Sequence, residues 1–221
     1  MTLARAQTEP DRASRFIEAL AIPWVDKTIA VIAVLPNAVE LYHRYTGGNL
    51  TFPRAVLGVQ SLVLIVTMVF RRTPTRVTPN PWFWVLAFVA SYGILVFTGF
   101  APNGVPLVPP VVPAILAVLS TAVLVYARLS LGRSIGFVPA NRGIVSRGAY
   151  RFVRHPIYTG IFIAMLAFVL RSYSPLNLLM ASTIVVLFMI KSVVEERFLR
   201  ADPEYAAYLQ RVRHRWLPGI A

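Results

Sequence analysis

Six apolar segments separated by short polar stretches constrain the fold of this chain more than any other feature. They run over roughly 24–42, 55–70, 82–100, 111–131, 156–170 and 175–194. A membrane-spanning helix needs about 20 predominantly apolar residues, and 57% of this chain is hydrophobic. The pattern predicts an all-α, polytopic membrane bundle of about six segments. The second and fifth segments are short, so they either extend into their flanks or stay partly buried in protein.

The basic residues predict the orientation of these segments. The chain has 22 Lys and Arg against 9 Asp and Glu, which gives a net charge of +13. With six crossings and a cytoplasmic N-terminus, nineteen basic residues fall on one side and three on the other. Because cytoplasmic loops are enriched in Lys and Arg, both termini are expected in the cytoplasm, in the cytoplasmic membrane of a bacterium. The excess charge is assigned to membrane lipids and not to nucleic acid.

Changes in composition divide the chain into three parts. Residues 1–23 contain arginines but no apolar core, which argues against a secretory signal peptide and indicates a cytoplasmic or interfacial N-terminal segment. Residues 24–127 hold the first transmembrane helices. Residues 128–221 contain the polar clusters and form the expected functional core. Asp202 and Pro203 predict the start of a short amphipathic cytoplasmic helix within that core.

The densest group of polar residues lies between the fourth and fifth apolar segments. Its basic members are Arg147, Arg151, Arg154 and His155. Pro156 suits the first position of a helix, where its missing N–H costs nothing, and it favours an extended conformation for His155. The free N–H groups of residues 157–159 would then create an anion site. This stretch predicts a pocket for a small charged ligand.

Two adjacent acids, Glu195 and Glu196, lie where the sixth segment meets the polar tail. Neighbouring helical positions point about 100° apart. One glutamate can therefore meet a ligand while the other ties the helix to the arginines. The alternative is that both acids form ordinary ion pairs on the helix surface, because Lys191 and Glu195, and likewise Glu196 and Arg200, are four positions apart. For His155, the alternative to ligand binding is a purely local hydrogen-bonding role.

Several common kinds of site are excluded by the residues present. Without cysteine the chain has no disulfide, thiolate zinc site or cysteine nucleophile. Its three histidines lack carboxylates at metal-binding spacing, so no metal is predicted. The sequence also has no phosphate-binding loop, dinucleotide fingerprint or serine-hydrolase motif. The spacing of Tyr205 and Tyr208 indicates helix packing.

Taken together, these motifs resemble those of the integral-membrane methyltransferases. The shared residues are Leu131-Gly-Arg133, Arg147-Gly-x-Tyr-Arg151, Arg154-His-Pro-x-Tyr-x-Gly160, the glutamate pair and Glu204-Tyr-x-x-Tyr-x-x-Arg-Val212. The nearest family is isoprenylcysteine carboxyl methyltransferase, with phospholipid N-methyltransferases as relatives. The resemblance covers roughly residues 125–221. It departs from the family at Ala149, where proline is usual, and at Asp202-Pro203, where a glycine is common; both lie in turns.

The resemblance implies an enzyme that binds S-adenosylmethionine between its last helices and its tail, within a methyltransferase core of residues 128–221. The implied donor-binding residues are Tyr150, Arg154, His155, Tyr158, Gly160 and Glu196. A glutamate suits the ammonium of the donor, whereas an arginine, a histidine or a helix N-terminus suits its carboxylate. Tyrosine rings suit the adenine or the sulfonium. The implied catalytic residues are Glu195, Arg197 and Arg211.

The expected acceptor is a lipid-like molecule that enters from the bilayer, and an isoprenoid or prenylcysteine-type carboxylate fits best. A carboxylate needs only an arginine to orient it, for which Arg197 and Arg211 are the candidates. An amine would first have to lose a proton to a glutamate or His155. Three alternatives stay open. The first is a phospholipid amine N-methyltransferase. The second is a membrane reductase in which the 2′-phosphate of NADPH contacts the arginines of residues 147–154, and the third is a non-catalytic membrane scaffold.

Overall fold

Helices make up most of the computed structural model, which describes residues 22–47 and 52–219. The α-helices are α1 (Pro23–Thr46), α2 (Phe52–Val69), α3 (Pro81–Phe100), α4 (Val111–Leu131), α5 (Pro156–Arg171), α6 (Pro175–Leu199) and α7 (Pro203–Arg211). A two-residue antiparallel ribbon pairs β1 (Arg76–Val77) with β2 (Ala140–Asn141). The mostly helical character predicted from the sequence is confirmed. The predicted N-terminal segment, 1–23, lies almost entirely outside the described residues.

Proline marks the start of five helices: α1, α3, α5, α6 and α7. It is favoured there because the first N–H groups of a helix have no partner within the helix. Three of these helices are also capped, since Asn80, Ser174 and Asp202 accept hydrogen bonds from N–H groups of the first turn. Helix α7 therefore begins at the cap and proline that the sequence indicated.

Two helical stretches in the described part of the chain are long and apolar enough to cross a membrane. They are Val111–Ser134, which continues α4, and Pro175–Leu199, which is α6. Shorter apolar stretches cover Gly58–Val69, Pro81–Ile94 and Pro156–Arg171. The fifth segment thus stays short at 16 residues. Six complete crossings remain a prediction.

Contacts between helix ends show that successive helices run in alternating directions. Lys27 Nζ, at the start of α1, donates to the carbonyl of Val69 at the end of α2 (3.1 Å). At the opposite end of the bundle, Val105 pairs with Tyr173 between the α3–α4 and α5–α6 connections. The first of these ends also holds the 132–155 connection and the C-terminal tail, and is called the polar end below. The 132–155 connection and the tail lie at the same end, as the division of basic residues predicted.

The packing of α4 against α5 depends on Gly160. A Cβ built on Gly160 would lie 2.6 Å from Cγ of Leu124, closer than side chains approach one another. The Gly160 carbonyl also accepts a hydrogen bond from the Ser120 hydroxyl of α4 (2.8 Å). Leu124 belongs to the largest core cluster, together with Tyr158 of α5 and Phe188 of α6. This close contact sets the spacing of the helices that surround the cavity described next.

Candidate functional site

A cavity of about 300 Å³ lies at the polar end. This volume is at the lower limit of the range found for small-molecule sites. One part of the wall is polar and contains Tyr150, Arg154, His155, Tyr158, Lys191 and Glu195. Another part is apolar and contains Leu64, Met68, Ile94, Leu124, Ile161 and Phe188. The cavity can therefore accept a molecule or a pair of molecules with a charged portion and an apolar portion.

Glu195 is the member of the glutamate pair that lines this cavity. Its Oε2 accepts a hydrogen bond from the Tyr158 hydroxyl (2.8 Å). Lys191 Nζ lies 3.8 Å from Oε1, and His155 Nδ1 lies 3.8 Å from Oε2. The side chain is 18% exposed, so it is neither free in solvent nor sealed in the core. A carboxylate held in this way can meet a cationic group in the cavity.

Glu196 has a different environment, although it is the next residue in the chain. Its side chain is 1% exposed and does not line the cavity. Arg215 donates to both of its oxygens at 3.0 Å. His155 Nε2 lies 3.1 Å from Oε1, and Arg154 Nη1 lies 3.3 Å from Oε2. Because three basic groups already surround this carboxylate, the structure does not support the predicted contact between Glu196 and the donor.

The N-terminus of α5 is not an open anion site. The N–H groups of Tyr158 and Thr159 donate to the His155 carbonyl, at 3.0 and 3.1 Å. The tail crosses the same region, where the carbonyls of His214 and Arg215 accept hydrogen bonds from the two residues that precede the helix, at 2.9 Å each. The structure therefore does not support the predicted anion site at residues 157–159, because the N–H groups of Tyr158 and Thr159 already have acceptors within the turn.

Four tyrosines surround the polar part of the cavity. Tyr150 and Tyr158 line it as predicted, and α7 adds Tyr205 and Tyr208. The Tyr208 hydroxyl donates to the carbonyl of Tyr150 (2.7 Å), which fixes α7 against the 148–151 turn. Burial raises the pKa of Tyr150, Tyr205 and Tyr208, so their rings are neutral. The packing role predicted for the α7 tyrosines is present, but their position on the cavity wall was not predicted.

The loop formed by residues 134–145 lines the cavity between α4 and α5 and is fixed from two sides. Arg142 forms a buried ion pair with Asp26 at the start of α1 (2.9 Å), and Arg71 contacts the same carboxylate (2.6 Å). Asn141 donates to Asp202, the cap of α7 (2.6 Å). Sequence reasoning missed this arrangement. The available signal was Asp26, because an acid in an apolar segment is by default a functional or structural site.

Besides Glu196, three predicted site residues lie away from the cavity. Arg197 and Arg211 have exposed side chains, and neither lines the cavity. Gly160 fits against Leu124 at the contact between α4 and α5. The structure therefore does not bring these three residues to the expected site. Conversely, the cavity wall includes three cations that the sequence did not assign to the site, Arg128, Arg142 and Lys191.

The described part of the chain contains no group of three or more His, Cys, Asp or Glu side chains that could hold a metal ion. The cavity wall presents a carboxylate, cations, an imidazole and tyrosines. These groups can bind and orient charged molecules.

Residues 110–202 match the family model for phospholipid methyltransferases. The matched segment contains α4, α5, α6 and the 132–155 connection, and it ends at the cap of α7. The match confirms the resemblance to the integral-membrane methyltransferases that the motifs indicated. Helices α1 to α3 lie outside it. No curated protein matches the chain.

Proposed function

We propose that the protein is an integral-membrane enzyme that transfers a methyl group from S-adenosylmethionine to the carboxylate of a lipid-like acceptor. The observation that carries this proposal is Glu195, a carboxylate on the cavity wall within the segment matched to methyltransferases. Tyr158 holds its Oε2, while the nearest cations, His155 and Lys191, stay 3.8 Å away. Glu195 therefore keeps the capacity to bind an ammonium group.

The wall of the cavity fits the chemical groups of the donor. The donor carries an ammonium, a carboxylate, a sulfonium and an adenine, and it supplies an activated methyl group when bound. Glu195 would hold the ammonium, and Lys191 with His155 would hold the neighbouring carboxylate. The neutral rings of Tyr150 and Tyr205 would pack against the adenine or the sulfonium.

In this proposal the protein acts by positioning the two reactants. Placing a nucleophile in line with the group that it attacks supplies much of the acceleration of such reactions. A carboxylate acceptor is already ionised at neutral pH and needs no general base. The apolar residues Leu64, Met68 and Leu124 would exclude water and hold the chain of the acceptor.

Phospholipid amine N-methylation is the second candidate, because the matched family is described as phospholipid methyltransferase. An amine must lose a proton before it attacks, and Glu195 or His155 would have to accept that proton. The charges of the wall favour the carboxylate. Among the described lining residues, Arg128, Arg142, Arg154 and Lys191 accompany a single carboxylate.

We also place the enzyme in the cytoplasmic membrane with the polar end facing the cytoplasm, from which a soluble donor can enter. The division of basic residues, nineteen against three, supports this orientation. A reporter enzyme fused to the C-terminus should be active only in the cytoplasm. Activity of that reporter outside the cell would refute the proposed orientation.

Methyl transfer from a radiolabelled donor tests the proposed activity. The full-length protein in neutral detergent would be offered a prenylcysteine carboxylate, a free isoprenoid acid and a phospholipid amine. We expect label in base-labile methyl esters of the first two acceptors. Label only in the phospholipid amine would show N-methylation and refute the proposed O-methylation. The absence of label from all three acceptors would argue against the proposed acceptor class.

A further inference from the structure

Arg128, near the end of α4, is a buried cation in the cavity wall. It is 8% exposed. Its Nη1 donates to the main-chain carbonyl of Gln60 on α2, at 3.3 Å. Within residues 22–47 and 52–219, no carboxylate forms a salt bridge with it. A main-chain carbonyl satisfies one of the five guanidinium N–H groups and does not neutralise the charge.

The other cations of the wall differ from Arg128 in this respect. Each has a carboxylate nearby in the described chain: Arg142 contacts Asp26 at 2.9 Å, Arg154 contacts Glu196 at 3.3 Å, and Lys191 lies 3.8 Å from Glu195. A buried charge without a counterion is unfavourable, because burial removes hydration that nothing replaces. The counterion of Arg128 is therefore expected to come from a molecule that enters the cavity.

Arg128 contacts α2, a helix outside the segment matched to methyltransferases, through the carbonyl of Gln60. Asn37 of α1 and Gln60 and Ser61 of α2 line the same cavity, and these helices lie outside the segment matched to methyltransferases. The apolar residues Leu64 and Leu124 also line it, from α2 and from one turn before Arg128 on α4. The part of the wall built around Arg128 thus combines one unpaired cation with apolar surface.

We propose that Arg128 binds the anionic head group of the acceptor, which is a carboxylate or phosphate attached to an apolar chain. The inference rests on the proposed function and adds to it the residue that binds the charged group of the acceptor. A guanidinium presents parallel N–H donors that match the two oxygens of either anion. The neighbouring leucines provide the apolar surface that the chain of such a molecule requires.

The test compares three probes with the same alkyl chain: dodecanoate, dodecyl phosphate and dodecan-1-ol. Their affinities would be measured by calorimetry on the full-length protein in neutral detergent, as wild type and as Arg128→Met. Wild type should bind one or both anions about tenfold or more tightly than the alcohol, because a charge-assisted hydrogen bond contributes that much. Arg128→Met should bind all three probes equally. Arg128→Lys should keep part of the preference, since it keeps the charge but loses the planar fork.

Arg151→Met is the matched control, because Arg151 is an exposed arginine that does not line the cavity. This variant should retain the wild-type preference. The two anions distinguish their sources: preference for dodecanoate indicates a carboxylate acceptor, and preference for dodecyl phosphate indicates a phospholipid head group.

A parallel titration with S-adenosylmethionine separates this inference from the proposed function. Arg128→Met should leave the donor affinity within about twofold of wild type. An equal loss of donor and anion affinity would place the donor at Arg128 and overturn the inference. Retention of the anion preference in Arg128→Met would also overturn the inference. Failure of this variant to fold would overturn it too, because a buried charge without a counterion should not be required for folding. A wild type that prefers the anions but does not bind the donor would instead refute the methyltransferase proposal.

Discussion

Arg215 donates to both carboxylate oxygens of Glu196, with its Nε and Nη2 atoms each 3.0 Å from an oxygen. This pair joins the C-terminal tail to α6 at a position where the glutamate is completely buried. The carbonyl of Arg215 also accepts a hydrogen bond from the N–H of His155 (2.9 Å), which joins the tail to the start of α5. The tail therefore holds together the two helices that carry the polar part of the cavity.

Replacing Glu196 should destabilise the protein more than it changes the chemistry of the cavity. Glu196→Gln leaves the partly buried Arg154 and Arg215 without their counterion, and breaking a buried pair in this way costs about 3–5 kcal/mol. We expect a clear fall in the thermal unfolding midpoint of the detergent-solubilised protein. Glu204→Gln, which changes an exposed glutamate of α7, is the control and should unfold near the wild-type temperature. An unchanged midpoint in Glu196→Gln would contradict the anchoring role.

Asp26 should control the order of the 134–145 loop. Two arginines, Arg71 and Arg142, share its buried carboxylate, so Asp26→Asn leaves both charges inadequately paired. We predict faster amide hydrogen exchange throughout residues 134–145 and a lower unfolding midpoint. Exchange in the α5–α6 connection, at the opposite end of the bundle, serves as the internal control and should change little. Equal acceleration at both ends would indicate general unfolding and not a local role for this ion pair.

Gly160 should tolerate no larger residue, because of packing and not because of ligand binding. In Gly160→Ala the new methyl group would overlap Leu124, and overpacking of this kind costs about 1–3 kcal/mol. The variant should therefore unfold at a lower temperature. Adding Leu124→Ala provides space for the methyl group, so the two substitutions should cost less together than the sum of their separate effects. Strict additivity would show that the two residues do not interact as the structure indicates.

The features that the sequence predicted correctly depend on local rules. Pro156 and the Asp202-Pro203 pair identified helix starts because caps and prolines act within one turn. The prediction that one member of the glutamate pair ties α6 to arginines also followed from helix geometry. Their assignment could not be read from the sequence, because it depends on which face of α6 meets the tail.

The features that were missed depend on contacts between distant parts of the chain. Asp26 and Arg142 are 116 positions apart, and no local pattern connects them. The tail that covers the residues just before α5 lies more than fifty residues further along the chain. The position of Arg128 on the cavity wall depends on the packing of α4 against α2 and α5. Such pairings are set by tertiary structure.

The central claim is that Glu195 binds the ammonium of S-adenosylmethionine, and a calorimetric titration tests it most directly. Wild type, Glu195→Gln and the control Glu204→Gln would each be titrated with S-adenosylmethionine and with NADPH. We predict that wild type and the control bind S-adenosylmethionine but not NADPH, and that Glu195→Gln, still folded at the temperature of the titration, binds the donor about tenfold or more weakly. Undiminished donor affinity in Glu195→Gln, or binding of NADPH in place of the donor, would contradict the account.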